Sequence, residues 1–286
     1  MTNTVYDIIT DKVCTMLDKG IVPWHQPWRG GDAPRNLSGR QYRGLNIWLL
    51  EATRQDHAYK SNIWMTFKQA NALGAHVRKG EHGTAVVFWK ILETTKDGEK
   101  DTIPLLRYFT VFNADQVDGY TPPTTEEGSG FAPILAAETI AANMQNAPRI
   151  VNGGRASYSP ISDAVTIPPC NDFEDAGSYY STLFHELTHS TGHASRLGRF
   201  SENDTHHHHL KDETYSKEEL IAEMGAAYLC GTANISGTFD NSAAYIASWL
   251  QALKNDRTLL VKAASAAQKA ADYILNKSVH PCHVTL

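Results

Sequence analysis

The stretch STLFHELTHSTGH, residues 181–193, decides how the C-terminal half of the chain is read. Within it His185, Glu186 and His189 form H-E-x-x-H inside a helical pattern, so the two imidazoles sit one turn apart on one face. That spacing is a bidentate clamp for Zn2+. Glu186, one residue round from the first histidine, is placed as the catalytic base. It would take a proton from metal-bound water, whose pKa the ion lowers to roughly 7.

A clamp of this kind needs a third protein ligand, and SKEELIAEMGAAYL (216–229) offers Glu219 and Glu223, four apart on one helical face. Ser216, three residues before Glu219, has the spacing of a capping box that would start this helix. The E-x-x-x-E spacing resembles the thermolysin-like arrangement, which implies Glu219 as the ligand and Glu223 behind it, orienting a histidine. The reverse assignment stays open, because both carboxylates point the same way. The run from His185 to Gly192 also matches H-E-x-x-H-x-x-G, but the position where a third histidine would follow is Ser195. His193 is out of that register and reads as a local residue. His206 to His209 read as a polar surface run able to hold adventitious metal. Tyr179 and Tyr180, one turn before His185, read as core tyrosines rather than oxyanion donors. RASYSPISDAVTIP (155–168) is expected to be a short strand delivering the chain to the helix, with an edge free to pair with an extended peptide.

Working outward, 286 residues that are 42% hydrophobic suffice for one large domain or two ordinary ones, which excludes disorder and a stapled mini-protein. The net charge of −5 hides an asymmetry: residues 1–120 sum to +2 and residues 121–286 to −7. The basic excess lies in residues 29–90, which permits an anionic partner on the first half. Four cysteines (Cys14, Cys170, Cys230, Cys282) without a C-x-x-C pair suggest neither a disulfide framework nor a thiolate metal site. A cytoplasmic protein with no signal peptide, membrane span or membrane partner is the expectation.

Helices are expected over 5–18, 45–55 and 66–73, and strands over 84–92 and 105–112 joined by a hairpin around Asp97-Gly98. TPPTTEEGSG (121–130) has linker composition and sets the boundary of the first domain near residue 120. Beyond it, helices are expected over 134–145, 179–191, 217–229, 242–253 and 257–275, with a short sheet.

Five of the six tryptophans fall between Pro23 and Trp89, interleaved with arginine and lysine. Aromatic faces stack unpaired bases and cations track phosphates, so this pairing fits single-stranded nucleic acid. Trp48 and Trp89, in apolar company, are assigned to the core. The candidates for nucleic-acid contact are Trp24, Trp28, Arg35, Asn36, Arg40, Tyr42, Arg43, Asn46, Trp64, Lys68, Gln69, Arg78 and Lys79.

PWHQPWRGG (23–31), PRNLSGRQYRGLNIWLL (34–50), WMTFKQANALGAHVRKGEHGTAVVFWK (64–90) and RYFTVFNADQV (107–117) resemble the N-terminal domain of ArdC-type antirestriction proteins, which is shared with some plasmid primases. HELTHSTGH (185–193), YSKEELIAEMGAAYL (215–229), YIASWLQAL (245–253) and AAQKAADYIL (266–275) resemble the zincin-like domain that follows it in those proteins. The resemblance implies a two-domain α+β protein. Residues 1–120 would be a mixed α+β domain binding single-stranded DNA, 121–130 a linker, and 131–286 a mostly helical, gluzincin-like metallopeptidase domain. It further implies one Zn2+, or Mn2+ or another divalent ion, and a role in shielding incoming conjugative DNA from host restriction. Two rivals accompany that reading. One is a pure single-stranded-DNA shield with a structural or vestigial metal site. The other is a metalloprotease acting on a host protein.

Overall fold

A computed structural model describes residues 4–25, 33–96, 99–123, 133–200, 213–235 and 243–277. These fall into two compact units, one of residues 4–11 and 33–123 and the other of 12–25 and 133–277, so the unit boundary passes through the first helix. The expected linker, from residue 124 on, lies outside the described residues.

The chain opens with α1 (Val5–Asp18). In the first unit β1 (Arg35–Asn36) is followed by α2 (Leu45–Asp56), β2 (Ile63–Met65), α3 (Phe67–Ala72) and β3 (His76–Val77). The long hairpin β4 (Thr84–Lys96) and β5 (Glu99–Asn113) and the short β6 (Val117–Asp118) complete it. The main sheet has the order β1-β2-β5-β4, with β1 parallel to β2 and the other pairs antiparallel. The hairpin runs further than its β-branched core, pairing down to Lys96 opposite Glu99; Asp97 and Gly98 themselves lie outside the described residues. β3 and β6 form a separate two-stranded ladder.

Successive strand residues point to opposite faces, and β2 uses both. Trp64 packs with Leu50 of α2, Val86 and Val111, whereas Met65 packs with Ala70 of α3, Ala75, Ala114 and Val117. Burying a side chain such as Leu50, Val86 or Met65 contributes roughly 1.5–3 kcal/mol. α3 is started by a capping box in which Thr66 accepts from the Gln69 N–H and the Gln69 side chain accepts from the Thr66 N–H. β4 is an edge strand, and its outward N–H and C=O at Val87 are met by the Asn46 side chain, at 2.7 Å each. That two-point bond from α2 closes the edge to further strand pairing there.

The second unit contains α4 (Pro133–Ala142), β7 (Arg149–Asn152), β8 (Ser157–Ser159), β9 (Ala164–Ile167), α5 (Ala176–Ser190), α6 (Glu213–Ala233), α7 (Ala243–Asn255) and α8 (Leu259–Ile274). The three strands have the order β7-β9-β8. The segment expected to be one strand is therefore a hairpin, turned at Asp163, whose left-handed backbone (φ 45°) a short polar side chain tolerates. Ala164 to Thr166 lie in the central strand, paired to both β7 and β8, and the edge of the sheet that this segment supplies is β8 (Ser157–Ser159). α6 starts at Glu213, which puts Ser216 inside the helix rather than at its cap.

α5 lies on the sheet and packs against α6, which in turn packs on α8. At the α5–α6 crossing Gly225 is obligatory, because a Cβ there would meet Thr188 Cγ2 at 2.4 Å and Oγ1 at 2.6 Å. Among the described residues no helix is long and apolar enough to cross a membrane, and no disulfide joins Cys14, Cys170 and Cys230.

Candidate metal centre

The H-E-x-x-H helix is α5, capped by Asp175, whose side chain accepts from the Ser178 N–H at 2.7 Å. One turn apart, His185 and His189 bring their Nε2 atoms to 3.1 Å, the rings meeting edge to face at 77°. The close α5–α6 crossing lets α6 add Glu219. Its Oε2 lies 3.5 Å from His185 Nε2 and its Oε1 3.5 Å from His189 Nε2. A tetrahedral ion with ligand bonds of about 2.0–2.1 Å separates its ligand atoms by about 3.3–3.4 Å. The Nε2 pair at 3.1 Å is close to that edge length, each Glu219 oxygen comes within 3.5 Å of one imidazole, and two imidazoles with one carboxylate are a donor set for a divalent metal.

Both imidazoles are backed by a second carboxylate. Glu223 Oε1 stands 3.7 Å from His185 Nδ1, and Glu218 Oε1 stands 3.4 Å from His189 Nδ1. A carboxylate behind Nδ1 favours a proton there and leaves the Nε2 lone pair for the metal. Glu223 thus stands behind His185, and Glu219 between the two imidazoles. Glu218, which sequence reasoning missed, is held by Arg199 at 2.7 Å. The only sign of it was a second glutamate beside Glu219, and nothing in the local sequence announced Arg199.

Burial pushes the His185 pKa down, but Glu219, Glu223 and Glu186 outweigh it and raise the group to about 10. His189 is likewise raised, burial being outweighed by Glu219 and Glu218. Glu218 is held below the usual carboxylate range, since His189 and Arg199 outweigh its burial. The pocket concentrates negative charge around two imidazoles, which favours their protonated form where no cation neutralises it. Glu186 is buried, within electrostatic reach of both imidazoles.

Behind the motif the chain is tied down. The Arg196 guanidinium is buried and pairs with Asp163, Tyr158, the Ser190 carbonyl and the Asn146 carbonyl. Gly192 is needed for close packing: a Cβ there would meet the Phe200 ring at 2.5 Å. His193 bonds Ser195 and stays local. Tyr179 and Tyr180 belong to an aromatic row with Phe173 and Phe184. His206 to His209 lie outside the described residues.

Two family models match the chain: the N-terminal domain of anti-restriction factor ArdC over residues 3–112, and a zincin-like metallopeptidase over 135–266. The ArdC protein of plasmid R388 has been solved metal-free and with Mn(II) bound. It shares 37% and 38% identity with this chain in the two structures, at TM-scores of 0.75 and 0.77. Each alignment covers 96% of this chain, and 99% and 97% of the ArdC chains respectively. This chain belongs to the ArdC antirestriction family. The y4eC protein of Sinorhizobium fredii (strain NBRC 101917 / NGR234) is 36% identical over 94% of this chain and 91% of its own length. Two Escherichia coli DNA primases named TraC are 34% and 35% identical, each over 94% of this chain, but the chain spans only 20% and 27% of their lengths.

In the N-terminal unit, burial corrects several nucleic-acid candidates. Trp64 is fully buried in the sheet, and Asn46 is buried with both polar atoms committed to Val87. Trp24 is buried in the second unit, edge-on to Trp249 at 5.3 Å. None of the three offers a face to a base. Gln69 is exposed but engaged in the α3 cap. The Asn36 carboxamide oxygen accepts from Ser38 and Arg40 in a tight turn, and Arg78 pairs with Glu81 and Asp118. Tyr42 is packed at the rim of the Trp64 cluster, where burial pushes its hydroxyl up to about 12. Arg35 and Arg43 are half-buried, whereas Arg40, Lys68 and Lys79 are exposed. Trp28 lies outside the described residues, and nothing is described of the Trp89 side chain. Sequence reasoning missed the exposed aromatics, Phe67 at 54% and Tyr108 at 51%. Phe67 falls within the basic and aromatic stretch without being singled out, and Tyr108 lies in the strand run LLRYFTVF.

Proposed function

We propose that this ArdC-family chain protects incoming single-stranded DNA from host restriction in the cytoplasm. Its first unit would hold the DNA, and its second would hydrolyse a peptide bond of a host protein. The convergence of His185, His189 and Glu219 on one point, with Glu186 beside them, carries this reading. Zn2+ is the ion proposed. When bound, a divalent cation supplies Lewis acidity, polarising a carbonyl and lowering the pKa of water.

The chain's own groups do the rest. Glu223 and Glu218 hold the imidazole rings, so that both Nε2 lone pairs face inward. The Glu186 carboxylate accepts a proton from the attacking water and returns it to the departing amine nitrogen. On the first unit, Arg40, Lys68 and Lys79 supply phosphate contacts, and Phe67 and Tyr108 supply stacking faces.

Conjugative transfer into a restricting host, with DNA affinity measured on the same preparations, tests the proposal. Glu186→Gln is expected to abolish protection while binding single-stranded DNA like the wild type. Full protection by Glu186→Gln would leave DNA binding as the whole mechanism. Phe67→Ala with Tyr108→Ala is expected to weaken DNA binding by about tenfold or more, at roughly 1–3 kcal/mol per stacked base. Unchanged affinity in that double variant would place the stacking face elsewhere.

A further inference from the structure

Two helices deliver the metal ligands, so the register of α6 against α5 decides whether three donor atoms converge. Glu218 and Glu219 are neighbours on α6, about 100° apart around its axis. One faces both Nε2 atoms and the other stands behind His189. Helix periodicity alone does not choose between them.

Arg199, nine residues beyond the end of α5, reaches both helices. Its Nη2 donates to Glu218 Oε1 at 2.7 Å and its Nε to Glu218 Oε2 at 3.3 Å. Toward the end of α5, Nη1 donates to Thr191 Oγ1 at 2.6 Å and Nη2 to the Thr188 carbonyl at 3.0 Å. The planar fork thus joins the last turn of the histidine helix to the outer glutamate of its neighbour. Thr188 is also the residue against which Gly225 packs, so the two helices are pinned at two points along their crossing. A slip of α6 by one residue would bring Glu219 or Lys217 under the guanidinium and pull the carboxylate out of the metal triangle.

We propose that Arg199 is a positioning residue of the metal centre. By binding Glu218 it sets which of the two adjacent glutamates ligates, and through Glu218 it fixes the His189 ring with Nε2 inward. The cation at the C-terminal end of α5 also complements the helix dipole there. The inference rests on the metal-binding reading above and adds to it the residue that holds the site in register.

The test uses the full chain as wild type, Arg199→Ala, Arg199→Lys and Glu218→Gln. Zn2+ affinity is read by competition with a chromophoric chelator, the Co2+ absorption spectrum reports coordination, and melting of the metal-free protein reports folding. Arg199→Ala and Glu218→Gln are expected to bind Zn2+ about 10- to 100-fold more weakly, with an altered Co2+ spectrum. Arg199→Lys is expected not to restore affinity, because an ammonium cannot span Glu218, Thr191 and the Thr188 carbonyl as the fork does. If Arg199→Ala fails to fold, Glu218→Gln, which keeps the side-chain volume, decides. Wild-type Zn2+ affinity and an unchanged Co2+ spectrum in Glu218→Gln and any folded Arg199 variant would overturn the proposal, whatever the melting point does. Failure of the wild type itself to bind Zn2+ would overturn the metal reading and this inference with it.

Discussion

Two sets of polar side chains, one in each unit, are packed inside to different ends. In the first, Asn46, Asn113 and Gln116 are buried and direct their amides mainly to the main chain: Asn46 to Val87, Asn113 to the Ser61 carbonyl and the Asp115 N–H, Gln116 to the Asn113 N–H and the His82 carbonyl. In the second, His185, His189, Glu218, Glu219 and Glu223 face one another. Buried amides that satisfy backbone groups hold a fold together. Half-buried ionisable groups turned on each other, at a cost in desolvation, mark a place built to receive charge.

The sharpest way to break this contrast is to cross the two sites. His185→Ala is expected to weaken Zn2+ binding by more than about 100-fold, beyond what loss of an orienting partner does. Asn46→Ala is expected to leave Zn2+ affinity within about twofold, as independent sites add. Its effect falls on stability, about 2–4 kcal/mol in urea unfolding, because the N–H and C=O of Val87 lose their partners. A large loss of metal affinity in Asn46→Ala would show the distinction to be false.

The pH dependence should follow the charge cluster. His185 in the metal-free protein titrates near 10 instead of about 6.5, so the stabilisation from its protonated form is complete below about pH 6.5 and lost as pH rises toward 10. A divalent cation needs the neutral ring. Metal affinity should therefore climb over the same window, by up to about tenfold per pH unit for each proton displaced. Calorimetric titrations in buffers of different ionisation enthalpy would count the released protons, and a pH-independent affinity would contradict the cluster.

A smaller effect is expected at the helix crossing. Gly225→Ala should cost about 1–3 kcal/mol through overpacking against Thr188 and should weaken Zn2+ binding, with Thr188→Ala in the same chain restoring part of both. Thermal melts with and without Zn2+ separate the two contributions.

Legibility in the sequence followed the same division. His185 with His189, and Glu219 with Glu223, could be singled out because their spacing of four puts each pair on one helix face, and Glu186 by its place in H-E-x-x-H. Glu218 and Arg199 could not, since their roles depend on how one helix lies on another. The helices and the β4–β5 hairpin were evident from periodicity. β7 was missed because Arg149–Asn152 is exposed along its whole length, and the β8–β9 turn was missed because Asp163 alone marks it. The tryptophans misled for a physical reason: an aromatic beside a cation reads the same whether its face is in a core or in solvent. Trp64 at 0% exposure and Tyr108 at 51% differ only in what the sheet and its helices cover.

The most direct measurement is X-ray absorption spectroscopy of the Zn2+-loaded chain beside Glu219→Gln. The account predicts one ion per chain with two imidazole nitrogens and carboxylate oxygen at about 2.0–2.2 Å, and loss of the carboxylate contribution in the variant. A spectrum without imidazole scattering, or one unchanged in Glu219→Gln, would contradict it.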